Sequence, residues 1–207
     1  VVAAVGVDLA RIGRGFADPV FESQTVFRHL LWALSRPGEA RSFQADLDPP
    51  SGFLATTAAV LLTLVDFETP VHLAIEADAT LAAGYLRFHA GCTLVSEAGR
   101  ATFVVADAAR AAEVLEACSV GIDLYPDRGA TLIVQVPALA GGRAVELIGP
   151  GIKTARMIAP AGLATSFWMA AQVNAARYPL GVDIVLVAPE AILGVPRSST
   201  IRLAEGA

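Results

Sequence analysis

The chain has 207 residues and a formal net charge of −5, with fifteen basic against twenty acidic side chains. That length suits one large domain, and the absence of a basic stripe argues against a nucleic-acid partner. Mean hydropathy is +0.58, yet the longest apolar run, Leu54 to Val65, spans twelve residues and holds three threonines. A membrane-crossing helix needs about 20 apolar residues, and no basic leader precedes an apolar run, so neither a span nor a secretory signal is expected.

In chain order, residues 1–16 are rich in Gly, Ala and Arg and read as a loosely held arm. Asp18 before Pro19, or Ser23 further on, can cap a helix whose stripe is Val26, Phe27, Leu30, Leu31 and Leu34. Arg36-Pro37-Gly38 ends it. "ARSF" follows as a short strand candidate and "LATTAAVLLTLV" as a buried helix. "TPVHLAI" then reads as a strand rich in branched residues. Asp78 to Phe88 is a helix, and "RATFVVAD" is a strand closing on Asp107, which can cap the amphipathic segment carrying Ala111, Val114, Leu115 and Cys118. "GATLIVQVPAL" and "RAVELIG", joined by "AGG", read as a hairpin. Ser166 to Ala176 is a helix with Trp168 and Val173 inward. "GVDIVLVAPEAILGVP" forms a second hairpin turning near Pro189 and Glu190. Helices alternating with strands, then hairpins, specify an α/β fold: a single domain over 1–207 with a mixed sheet flanked by helices.

The search for chemistry returns little. His29, His72 and His89 never fall at metal-ligand spacing, so no metal is expected, and each reads as a packed or surface histidine. Cys92 and Cys118 lack such spacing too and are expected as reduced thiols of a cytoplasmic protein. No GxSxG elbow is present. Asp66 and Glu68 in "VDFETP" could serve as an acid–base pair but read better as a capped turn; Asp127 and Arg128 in "YPDRG" read as a surface turn.

One stretch, "VELIGPGIKTARMIAP", poses a sharper question. A strand, a glycine turn and two basic residues suggest a phosphate cradle. The segment matches neither GxxxxGK[ST] nor GxGxxG, and Pro150 removes a backbone donor from the middle of the turn. The stretch therefore reads as a structural corner at Gly149 and Gly151 with an optional basic rim. Lys153 and Arg156, three apart on one side of a helical turn, and Arg197 are the candidate anion ligands; no catalytic residue is assigned. Lys153 is the only lysine in the chain, so any Schiff-base mechanism has one candidate.

Several stretches taken in order carry a resemblance. "SQTVFRHLLWALSRPG", "LATTAAVLLTLVDFETPVHL", "LRFHAGCTLVSEAGRATFVVAD", "GATLIVQVPALAGGRAVELIGPGI", "RMIAP", "YPLGVDIVLV" and "GVPRSST" together resemble the PhnH family of the bacterial carbon–phosphorus lyase system, from Ser23 to Thr200. The resemblance implies a fold similar to the large domain of pyridoxal-phosphate-dependent transferases, but without that cofactor. It also implies a homodimer in isolation and a complex with the PhnG, PhnI and PhnJ subunits. With PhnG, PhnI and PhnL, that machinery makes a ribose 1-phosphonate 5-triphosphate from ATP and a phosphonate. On this view the chain is a non-catalytic or assisting subunit. The alternatives are a small-molecule or nucleotide-binding module using Lys153, Arg156 or Arg197, and a free-standing pyridoxal-phosphate transferase using Lys153.

Overall fold

The computed structural model describes residues 12–76 and 79–203. Among them, a seven-stranded sheet forms the centre, with helices on both faces. The first helix, α1 (Pro19–Ser35), is capped as the sequence suggests. The Asp18 carboxylate accepts from the Phe21 N–H, Pro19 fills the first turn, and Glu22 reaches back to the Asp18 N–H. A short edge strand β1 (Arg41–Ser42) leads to α2 (Ala55–Leu64), where six consecutive residues from Thr56 to Leu61 are buried. A helix apolar all round has no solvent face, which is what that short hydrophobic run encodes.

Next come β2 (Pro70–Ala74), α3 (Ala79–Ala90), β3 (Thr93–Leu94), β4 (Phe103–Asp107) and α4 (Ala111–Ala117). A small ribbon of β5 (Val120–Ile122) and β6 (Tyr125–Gly129) precedes β7 (Thr131–Gln135). The chain then forms β8 (Gly141–Ile148), β9 (Arg156–Pro160), α5 (Thr165–Ala175), β10 (Asp183–Ala188), β11 (Ala191–Val195) and β12 (Thr200–Leu203).

The large sheet runs β1-β11-β10-β7-β4-β2-β3, with β10, β7, β4, β2 and β3 mutually parallel and β11 antiparallel to its neighbours. Alternate side chains divide between two cores. Val104, Leu132, Val134, Ile184 and Leu186 face α4, α5 and the small sheet β12-β8-β9. Val71, Val105, Ile133, Val185 and Val187 face α1, α2 and α3. Strands buried on both sides carry near-continuous apolar runs, as in the "LIV" of β7 and the "IVLVA" of β10, with polar residues only at their ends.

Several expectations need correction here. The "AGG" hairpin does not form: β7 already has parallel neighbours on both sides, and β8 instead pairs with β9 and β12. Tyr125 to Gly129 is a strand of the ribbon, not a turn. The Asp107 side chain does not cap α4, whose N-cap residue Arg110 makes no side-chain capping bond. Lys153 and Arg156 share no helical turn, because Arg156 opens β9. On α1, Val26 and Leu30 are buried but Phe27 and Leu31 are exposed, and on α5 Trp168 is buried while Val173 faces out. Of the arm expected over 1–16, residues 1–11 lie outside the described residues, as does Asp78. From Ile12 on, the chain is tied to α3: the Tyr85 hydroxyl donates to the Arg14 carbonyl, and His89 Nε2 lies 2.9 Å from the Gly13 carbonyl.

Candidate functional site

In an open α/β sheet, ligands sit beyond the carboxyl ends of the strands, where neighbouring strands send their chains to opposite sides. Here that point lies between β2 and β4. The chain leaves β2 through α3, against one core, toward β3; it leaves β4 through α4, against the other core, toward β7. A groove of about 420 Å³ opens there, lined among others by Gly52, Leu54, Glu76, Asp107, Gln135 and Pro189.

Two of its polar side chains, Gln135 and Asp107, are bonded to each other and to backbone, while the Glu76 side chain is exposed. Gln135, 7% exposed, accepts from the Leu54 N–H at 2.8 Å through Oε1. Its Nε2 donates to the Gly52 carbonyl at 3.0 Å and to Asp107 Oδ1 at 2.8 Å. The second Asp107 oxygen accepts from the Glu76 N–H at 2.6 Å. Asp107 and Gln135 are register partners on adjacent strands, so both point to the same face. One amide thus joins the start of α2, the end of β4 and the end of β7, and it satisfies a donor that a helix N-terminus would otherwise offer to an anion.

The three anion candidates lie at the other end of the strands. Arg197 binds Asp183, the first residue of β10, at 2.7 Å, and donates to the Pro126 carbonyl at 2.7 Å. Arg156 is ion-paired with Glu39 and donates to the Pro37 carbonyl at 2.7 Å, tying β9 to the loop after α1. Both guanidinium groups among the three candidates therefore already hold protein oxygens. Lys153 is exposed and forms no ion pair among the described residues. It follows a turn closed by the Ile152 N–H on the Gly149 carbonyl. Pro150 and Gly151, with φ +82 at the glycine, occupy the central positions that a type II turn prescribes. A Cβ on Gly151 would stand 2.4 Å from the Ser35 carbonyl, and one on Gly149, at φ +152, 2.9 Å from that of Ser198. The glycines let backbone meet backbone at a corner.

The remaining titratable groups are held by structure. His72 Nδ1 lies 3.0 Å from the Val95 carbonyl. His29 is pushed below its ordinary pKa by burial and by Arg41, whose Nε donates to His29 Nδ1 at 2.9 Å. The Thr69 hydroxyl and the Glu68 N–H hold the Asp66 carboxyl below its usual range, the capped turn expected of "VDFETP". Cys92 and Cys118 are free and buried, and burial pushes Cys118 up to about 12. No group of three or more His, Cys, Asp or Glu side chains among the described residues could hold a metal, and no helix there is long and apolar enough to cross a membrane.

The sequence reading missed the Gln135 cluster. Its signal was a single amide ending an otherwise apolar strand, and an aspartate ending the next.

Comparison with known proteins places the chain. The family model for the bacterial phosphonate metabolism protein PhnH matches residues 14–202. The "Alpha-D-ribose 1-methylphosphonate 5-triphosphate synthase subunit PhnH" of Rhizobium meliloti (strain 1021) is 38% identical over 186 residues, covering 90% of this chain and 93% of that protein. The "Putative C-P lyase subunit protein HtxG" of Stutzerimonas stutzeri is 30% identical over 185 residues, covering 87% and 86%. With every helix and strand but the last residue of β12 inside the matched residues, the chain belongs to the PhnH family.

Proposed function

We propose that this chain is an assisting, non-catalytic subunit of the carbon–phosphorus lyase core complex, acting with PhnG, PhnI and PhnJ in making a ribose 1-phosphonate 5-triphosphate from ATP and a phosphonate. The observation that carries this is the 38% identity across 93% of a synthase subunit. The site chemistry supports it, because the strand-end groove has its amide and carboxylate bound to each other and to backbone. We take residues 1–207 as one domain similar to the large domain of pyridoxal-phosphate transferases, a likeness supported by the mainly parallel sheet with helices on both faces.

The residues do not fit that cofactor. The only lysine, Lys153, stands exposed on a corner packed against Ser35 and Ser198, beyond the amino ends of the parallel strands and opposite the groove. A Schiff-base lysine needs a desolvated pocket. A nucleotide-binding module built on Lys153, Arg156 and Arg197 is disfavoured in turn by the ion pairs of the two arginines. We also infer a homodimer of the isolated chain, supported by apolar side chains exposed on several elements, and a cytoplasmic setting, supported by the two buried free thiols.

The test is growth on methylphosphonate as the phosphorus source after deleting this gene, with rescue by the intact chain, beside assays of the purified chain with ATP and methylphosphonate. Rescue without turnover by the isolated chain is expected. Turnover by the chain unaided would overturn the reading.

A further inference from the structure

The outer side of α1 carries side chains that the fold leaves uncovered. Val20, Phe27 and Leu31 are 72%, 44% and 52% exposed, and spacings of seven and four put them on one stripe of the helix. Phe21, 68% exposed, lies seven residues before Arg28, on the neighbouring stripe. The inward face is separate, formed by Val26, Leu30 and Ala33.

Beside this ridge runs a second column. Arg28, Trp32 and Arg36 follow one another at i, i+4 spacing. The Arg36 and Arg41 guanidinium carbons lie 5.2 Å and 5.1 Å from the centre of the Trp32 ring. Arg28, Arg36 and Arg41 are all exposed, and none of them forms an ion pair among the described residues. The acids nearby are occupied: Glu22 on the Asp18 N–H, Glu39 on Arg156, Asp46 on Arg14. A chain of net charge −5 therefore keeps one uncompensated cation, Arg28, beside the apolar ridge, and two more, Arg36 and Arg41, around the Trp32 ring.

We propose that this face of α1 is the docking surface for a different protein chain, one presenting apolar side chains flanked by carboxylates. This rests on the subunit reading above. Charge decides the occupant. A second copy packed by two-fold symmetry would bring three more arginines to the same interface in place of carboxylates, which adds like charge without neutralising any. Packed head-to-tail, the face would meet a different surface of the copy and propagate a ring or an open filament. The chain's own residues 1–11 carry one acid, Asp8, and one base, Arg11, and cannot neutralise three guanidinium groups. A partner with carboxylates beside an apolar groove meets both features at once, and arginine beside tryptophan is the composition of an interface anchor.

The experiment uses the full chain and its co-expressed PhnG–PhnI–PhnJ subunits, with affinity measured by titration calorimetry at two salt concentrations. Leu31→Glu and Arg28→Glu, both surface changes, are expected to weaken binding by about tenfold or more. The Arg28→Glu complex should also lose salt sensitivity relative to wild type. Light scattering should find the oligomeric state of both isolated variants unchanged, and circular dichroism their fold intact. Tight binding by wild type and both variants alike would overturn this inference while leaving the subunit reading standing. Dissociation of an isolated homodimer by Leu31→Glu would overturn it in favour of a second copy. No binding by wild type would overturn both.

Discussion

Replacing Gln135 by leucine tests whether the strand-end groove is an internal tie. The change preserves approximate size and removes three hydrogen bonds: to the Leu54 N–H, the Gly52 carbonyl and Asp107. Each contributes on the order of 1 kcal/mol net. Asp107 keeps its bond from the Glu76 N–H and is half-buried, so water can replace its lost partner. The new apolar side chain offsets a further part. A net loss of about 2–4 kcal/mol remains, a large fraction of the 5–15 kcal/mol typical of a domain. Urea unfolding followed by circular dichroism should show the midpoint falling by about 1 M at the slope expected for this size. Asp107→Asn keeps one carbonyl oxygen as an acceptor and should cost less than Gln135→Leu. Combined with Asp107→Ala, Gln135→Leu should be clearly non-additive, because both changes remove the same bond. A midpoint shift below about 0.3 M, or additive losses, would refute the idea that this amide fastens α2 to β4 and β7.

Four further outcomes follow from individual contacts. Gly151→Ala should cost more than the roughly 1 kcal/mol of a left-handed alanine, since its Cβ would meet the Ser35 carbonyl at 2.4 Å, whereas Lys153→Ala should unfold like wild type in the same assay. Asn174→Ala strips both the N–H and the carbonyl of Val182 of their partners, each bonded at 2.8 Å, and should lower stability by about 2–4 kcal/mol in chemical denaturation. Burial pushes the Tyr85 hydroxyl up to about 12, with Asp48 adding to it. The folded state therefore holds that proton longer, and stability is present below pH 10 and lost toward pH 12; Tyr85→Phe should flatten that part of the pH–stability curve. The Cys118 thiol, also raised to about 12 by burial, should resist iodoacetamide at pH 8 until urea unfolds the chain.

The sequence disclosed what is decided locally. Asp18-Pro19 announces the start of α1 because its cap uses neighbours three and four residues away. The run from Leu54 announces α2 because no amphipathic stripe is needed where every side is covered. The β10–β11 hairpin is legible because Pro189 and Glu190 interrupt two apolar runs that pair directly. What failed was partner choice. "AGG" is a good turn between β7 and β8, but turn preference cannot compete with burying "TLIVQ" on both faces between β4 and β10. The unbroken apolar run was the sign of a central strand. The Gln135 cluster was illegible for a different reason: its bonds span 28, 81 and 83 positions of chain and exist only once the sheet has ordered its strands.

Charge geography follows from the same constraint. The basic residues that drew notice in the sequence, Arg156 and Arg197, close contacts between chain segments at the amino ends of the strands, where Glu39 and Asp183 neutralise them. At the carboxyl ends, where a fold of this kind ordinarily receives a ligand, Asp107 and Gln135 are bonded to each other and to backbone. Among the unpaired cations, Arg28 on α1, Arg36 at its C-cap and Arg41 on β1 stand outside both places, by a helix whose ridge of Val20, Phe27 and Leu31 is already in water. Desolvating that ridge is favourable at about 25 cal/mol per Å² of apolar surface, but only a partner bearing negative charge can cover it without burying the arginines unpaired. If α1 docks a partner chain as proposed, the sign of the charge beside its ridge selects that partner.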